Sequence, residues 1–205
     1  MIDPVLMIHE RKKTILSRLL DLAAYLLIPF LTIHFVKGSN WFTTNFSVLG
    51  NGPQKQNDFA FWGLFVGVYF FTILEIIAGY LALPPRSTFL IPVSLLLLTC
   101  AITTPYLPEV FPLKSFLHVV FAFLSAVCLS LFLGILVWRL GRTAPVQFKL
   151  FRAGLLLIFM CSGLLLAVAG IISSALEIFF TISMSVFCRR LERKLWLLQK
   201  PAAGY

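Results

Sequence analysis

With 60% of its 205 residues hydrophobic, 12% charged and a mean hydropathy of +0.95, the chain lacks the polar side chains needed to coat a water-soluble domain. Its net charge of +9 does not point to nucleic acid, because Lys and Arg gather in the N-terminal segment, one middle loop and the C-terminal tail, each flanking apolar runs. The expectation is an all-α polytopic protein of the cell membrane: a bundle of six transmembrane helices with cytoplasmic N- and C-termini, in one domain over residues 1–199 with a basic amphipathic tail over 189–205.

Met1 to Lys13 ends in His9-Glu10-Arg11-Lys12-Lys13, a basic approach to a first span over about 15–36. No small-residue cleavage site follows this span, so it is read as retained, with a kink expected at Pro29. The loop Lys37 to Asp58 carries turn residues around Phe46-Ser47-Val48-Leu49-Gly50, a piece too short to span and suited to the interface or to re-entry. Asn45-Phe46-Ser47 also matches a glycosylation sequon. A second span covers about 59–83, and its Gly63 and Gly67 predict close approach of a neighbour.

A third, short span lies over about 88–104, and Pro105, Pro108 and Pro112 stiffen the loop into a fourth span over 115–138. Arg139, Arg142, Lys149 and Arg152 crowd the next connection, which predicts a cytoplasmic loop. The apolar run that follows is too long for one helix. A hairpin at Gly170-Ile171-Ile172-Ser173-Ser174 divides it into spans over about 152–170 and 173–190. Leu191, Leu195, Trp196 and Leu198 among Arg189, Arg190, Arg193 and Lys194 predict a tail lying on the inner leaflet. Cys100, Cys128, Cys161 and Cys188 read as small apolar side chains.

Ionisable groups inside such helices are costly enough to be functional suspects. Ser115, His118, Ala122 and Ser125 recur at helical spacing on the fourth span, as do Ser174, Glu177, Thr181 and Ser185 on the sixth. These two stripes predict an outward-facing pocket in which His118, Glu177, Ser47, Glu109, Ser115 and Thr181 bind a ligand, between the second, fourth and sixth spans and under the 37–58 loop. His118, Glu177 and Asp58 are the candidates for catalysis. The opposing expectation is that His118 and Glu177 only satisfy each other or nearby backbone. Asp21 and Glu75 are expected as a second cluster of buried carboxylates, neutralised by Arg18, Arg86 or Arg142. A zinc site of His34, His118, Glu177 and Asp58 is conceivable, but no metal and no cofactor is assigned.

Asn45-Phe46-Ser47-Val48-Leu49-Gly50, the Pro108-Glu109 pair and His118 at the start of the fourth span resemble features of six-helix membrane proteins of unassigned function, and more distantly of the Frag1/DRAM/Sfk1 group. Such proteins often carry an acidic residue beside the Leu-Gly pair, where this chain has Ser47 and Val48. The resemblance implies a six-helix fold and an association with lipids, and it supplies no reaction. The function expected is binding of a lipid or amphiphilic small molecule in the outer pocket. The alternatives are an intramembrane lipid hydrolase or transferase using His118 with a carboxylate, an accessory subunit of a membrane complex, and a proton-coupled transporter. The expected partners are membrane lipids and a membrane protein or second copy, not nucleic acid.

Overall fold

A computed structural model describes residues 14–52 and 54–199. The basic approach Met1–Lys13 and the tail from Lys200 onward lie outside the described residues. Within them the protein is all-α, without strands: α1 (Thr14–Phe35), α2 (Phe46–Gly50), α3 (Gln56–Tyr80), α4 (Pro85–Thr103), α5 (Pro112–Thr143), α6 (Pro145–Ala169) and α7 (Ser174–Gln199). Among the described residues α1, α3, α4, α5 and α6 are long and apolar enough to cross a membrane, as expected of an integral membrane protein. The 26-residue α7 has the length but carries Glu177, Arg189, Arg190, Glu192, Arg193 and Lys194.

Sequence punctuation explains the helix limits. Pro112 and Pro145 open α5 and α6, where a missing N–H costs nothing. Gly170 closes α6 in the left-handed conformation at φ 70°, and the chain reverses into α7 within a few residues. Pro29 acts through a π-helical turn over Ala23–Leu27, just before it, which accommodates the lost backbone hydrogen bond.

Helix α3 packs on α4, α4 on α5, α5 on α6, α6 on α7, and α7 back on α3. These contacts close a ring of five helices, with α1 laid outside it against α3 and α7. At the end where α3 finishes and α5 turns into α6, Ile73, Ile77, Leu133, Val137, Met184 and Leu191 fill the ring completely. The opposite half, roofed by α2, is left hollow. Outward faces carry exposed Leu26, Phe30, Leu96, Leu131, Met160 and Leu164, an apolar skin fit for hydrocarbon rather than water.

Gly63 and Gly67 provide the predicted close approach, and what approaches is side chain. A Cβ on Gly63 would lie 2.6 Å from Cδ1 of Ile102, and one on Gly67 2.8 Å from Cδ2 of Leu98. Gly63→Leu is therefore expected to wedge α3 from α4 and to cost about 1–3 kcal/mol by overpacking. A lower melting temperature in detergent would register it, and an unchanged one would mean that α4 shifts freely.

Two expectations need correction at the filled end. The basic tail as far as Gln199 is not a separate surface helix but the end of α7, because Cys188, Leu191 and Leu195 form a stripe that is buried in the bundle core. The fully buried Cys188 is accordingly inaccessible to lipidation. Asp21 is indeed neutralised, but by Arg189 and Arg193, whose side chains lie 2.7 Å from its two oxygens. Glu75 is exposed on α3 and joins no cluster. Eight residues at 100° each carry it about 80° around the helix from Gly67, off the packed face.

Candidate functional site

The site is built around Ser47, and α2 exists to hold it. Asn45 sits in extended conformation as N-cap, its Oδ1 accepting the Val48 N–H at 2.8 Å, which starts the helix at Phe46. The Phe46 ring is fully buried among Phe35, Trp62 and Ile178, with the Trp62 ring centroid at 4.6 Å. Its N–H donates to Glu177 Oε2 at 2.8 Å. Gly50 lets α2 lie directly on α3, since a Cβ there would be 2.6 Å from Cγ of Phe59. Trp41 and Thr44 accept the Ala175 and Ser174 N–H groups at 2.8 and 2.7 Å, so the loop before α2 caps the start of α7.

Held in this way, the Ser47 hydroxyl meets His118 Nε2 at 2.6 Å. The other ring nitrogen, Nδ1, is 2.8 Å from the Thr104 carbonyl oxygen. A carbonyl can only accept, so Nδ1 carries a proton, and in the neutral ring Nε2 therefore presents its lone pair to the Ser47 O–H. Phe59 and Tyr106 flank the imidazole at centroid distances of 6.2 and 5.6 Å, which fixes its plane. His118 is 2% exposed, whereas Ser47 is half-buried and its neighbour Val48 is exposed, so the pair sits between the bundle interior and the outside.

Ser47, His118 and Glu177 form the polar end of a cavity of about 360 Å³ inside the five-helix ring. Its walls descend along α3 from Phe59 to Leu74, roughly 22 Å at 1.5 Å per residue. Ile91, Leu74 and Leu129 make its floor where the filled core begins. The polar atoms lower down are mostly satisfied within the protein. Ser94 and Ser125 exchange hydroxyl-to-carbonyl bonds of 2.9 and 2.8 Å across α4 and α5. The second carboxylate oxygen of Glu177 has no hydrogen-bond partner among the described residues and is available to whatever fills the cavity.

A groove of about 660 Å³ runs down the outer face of α5 to Trp138, Arg139 and Arg142. Phe123, Ala126 and Phe180 line both the groove and the cavity, so they form a wall common to the two.

The structure thus places His118, Glu177, Ser47 and Thr181 around one cavity. Ser115 is buried one turn before His118 but lies outside the cavity wall, its hydroxyl unpartnered among the described residues. Asp58 and Glu109 do not join. Asp58 is exposed in the first turn of α3, because its neighbour Phe59 takes the inward position, and Glu109 is exposed in the loop before α5. His34 is exposed too and stacks on Phe30 at 5.6 Å, which removes it from the conceivable zinc set. Neither His118 nor Glu177 pairs with the other: each takes a backbone group, and His118 also takes Ser47. The sequence places Ser47 and His118 in one pocket but does not pair them; the hydrogen bond between the two, 71 residues apart, is what the structure adds.

No protein-family model, curated protein or solved structure matches the chain.

Proposed function

We propose that the protein binds a lipid or lipid-like amphiphile in the five-helix cavity, with the headgroup at Ser47, His118 and Glu177 and the apolar chain running down toward Leu74. The observation that carries this reading is the cavity itself: apolar along its length, polar at one end, and sharing the wall residues Phe123, Ala126 and Phe180 with the outer groove. Ligand pockets are commonly apolar with a few placed polar groups, and about 360 Å³ falls in their range. The Glu177 oxygen that has no partner among the described residues suits a hydroxyl or ammonium of the headgroup.

The same reading takes α7 as a sixth span in a multi-pass protein of the cell membrane. Thr14 and Gln199 then lie on one side, with Arg86, Arg139, Arg142, Lys149, Arg190 and Lys194, against Lys37, Lys55 and Lys114 on the other. The basic side is the cytoplasmic one, and the Ser47 end of the cavity faces outward.

Native mass spectrometry of the gently solubilised protein, followed by lipid extraction, tests the proposal. The wild type is expected to carry one bound amphiphile per chain, and Glu177→Gln to retain it at least tenfold more weakly, the equivalent of about 1.4 kcal/mol. The amide still accepts the Phe46 N–H, so α2 stays in place in this variant. A wild type that is empty in every detergent refutes the reading.

A further inference from the structure

We propose that the outer end of the cavity is an acyl-transfer site, with Ser47 as nucleophile, His118 as general base and a lipid ester as substrate. This rests on the amphiphile-binding reading and deepens it. Three observations converge. The Ser47 hydroxyl and His118 Nε2 are 2.6 Å apart, the distance at which a base takes a proton from a nucleophile. The base is itself oriented by a third group, the Thr104 carbonyl on Nδ1 at 2.8 Å, in the place a carboxylate occupies in serine hydrolase triads. The pair also lies at the polar mouth of an apolar cavity, where an ester would sit if the chain lay below it and the headgroup faced out.

A purely structural hydrogen bond explains less of this arrangement. The α2 helix is already fixed by Phe46 in its aromatic pocket, by the Glu177 contact and by the Asn45 cap, so the chain does not need the Ser47 hydroxyl to anchor it. Instead the anchors aim that hydroxyl at the imidazole.

In the step proposed, Ser47 Oγ attacks the ester carbonyl carbon as its proton passes to His118 Nε2. The carbon–oxygen bond to the headgroup alcohol breaks, the alcohol leaves with the proton from Nε2, and the fatty acyl group stays on Ser47. Water then enters from the outer side, where Ser47 is half-buried and Val48 exposed. It gives one proton to Nε2, adds its oxygen to the acyl carbon, and releases the fatty acid as the proton returns to Ser47 Oγ. The sum is ester plus water to acid plus alcohol, with no other reactant.

The test uses the full-length protein in detergent with a long-chain alkyl fluorophosphonate, which modifies an activated serine. Release of fatty acid from mixed phosphatidylcholine and phosphatidylglycerol vesicles, and native mass spectrometry, are read in parallel. Wild type is expected to be labelled at Ser47 and to release acid, Ser47→Ala to lose both, and His118→Gln to slow labelling by about 10²–10⁴-fold. If His118→Gln does not fold, Ser47→Ala decides alone, since it removes only one hydroxyl from a helix held by other contacts. A wild type that carries lipid yet is neither labelled at Ser47 nor releases acid overturns the acyl-transfer site and leaves the binding reading standing. A protein both empty and unlabelled overturns the two together.

Discussion

Arg189→Met is expected to destabilise the protein by about 3–5 kcal/mol, the cost of removing one partner from a buried ionic cluster. At roughly 2–4 °C per kcal/mol for a chain of this size, the melting temperature in detergent falls by about 6–20 °C. Arg189 is 0% exposed and holds four groups with one guanidinium: Asp21 at 2.7 Å, Glu192 through its Nη1, and the Ser17 carbonyl and hydroxyl at 2.9 and 2.6 Å. Tyr80 donates to Glu192 at 3.1 Å and binds the cluster to the end of α3. Without the arginine, Glu192 is a carboxylate 4% exposed with no cation in its hydrogen-bond set. Lysine cannot substitute, because a single ammonium does not reach so many acceptors in a planar fan. Adding Glu192→Gln to Arg189→Met is expected to recover part of the loss by removing the orphaned charge. A variant melting like the wild type would show that the cluster adds nothing to stability.

Ala126→Trp is expected to leave the fold intact and to slow lipid uptake at least tenfold. Ala126 belongs to the wall shared by groove and cavity, where an indole would occupy the space between Phe123 and Phe180. Entry from the side is the route an amphiphile would take from a bilayer, since its chain never has to leave hydrocarbon. Exchange of a fluorescent fatty amphiphile from vesicles into purified protein measures the rate, with Leu164→Trp, on the exposed face of α6, as the control. Equal rates in the wild type and the portal variant would move the entrance to the outer end, beside α2.

The helices were legible because apolar length, proline and glycine act locally. So were the two polar stripes, since one side chain per turn on one face is a property of a single helix, and most of their members are buried: His118 and Ser125 on α5, Thr181 and Ser185 on α7. What the sequence did not contain was the pairing between elements. Ser47 finds His118 across 71 residues and Arg189 finds Asp21 across 168, and helical periodicity does not say which helix stands beside which. Arg18, Arg86 and Arg142 are as cationic as Arg189, and only the placement of α7 against α1 selects among them. The misassignment of Asp58 and Glu109 has a similar origin. Nearness along the chain does not make side chains converge: one 100° step in α3 and one exposed loop turn both carboxylates outward.

The widened turn at Ala23–Leu27 has a consequence for how the two ends of the bundle are phased. Leu20, Ala24, Ile28 and Thr32 are all buried, at intervals of four residues. In an unbroken α-helix three such steps would drift about 120° around the axis, and a neighbour in contact with Leu20 would lose the stripe before Thr32. The π turn absorbs that surplus, so the buried face of α1 stays against α7 through the turn and beyond it, with α3 joining along Ile28–Phe35. Asp21 therefore meets Arg189 near one end of that face while Thr32 accepts the Trp62 N–H at 2.9 Å near the other. Trp62 in turn walls both the Phe46 pocket and the cavity. The helical phase set in that single turn thus keeps the ionic clasp in register with the ring that seats Ser47.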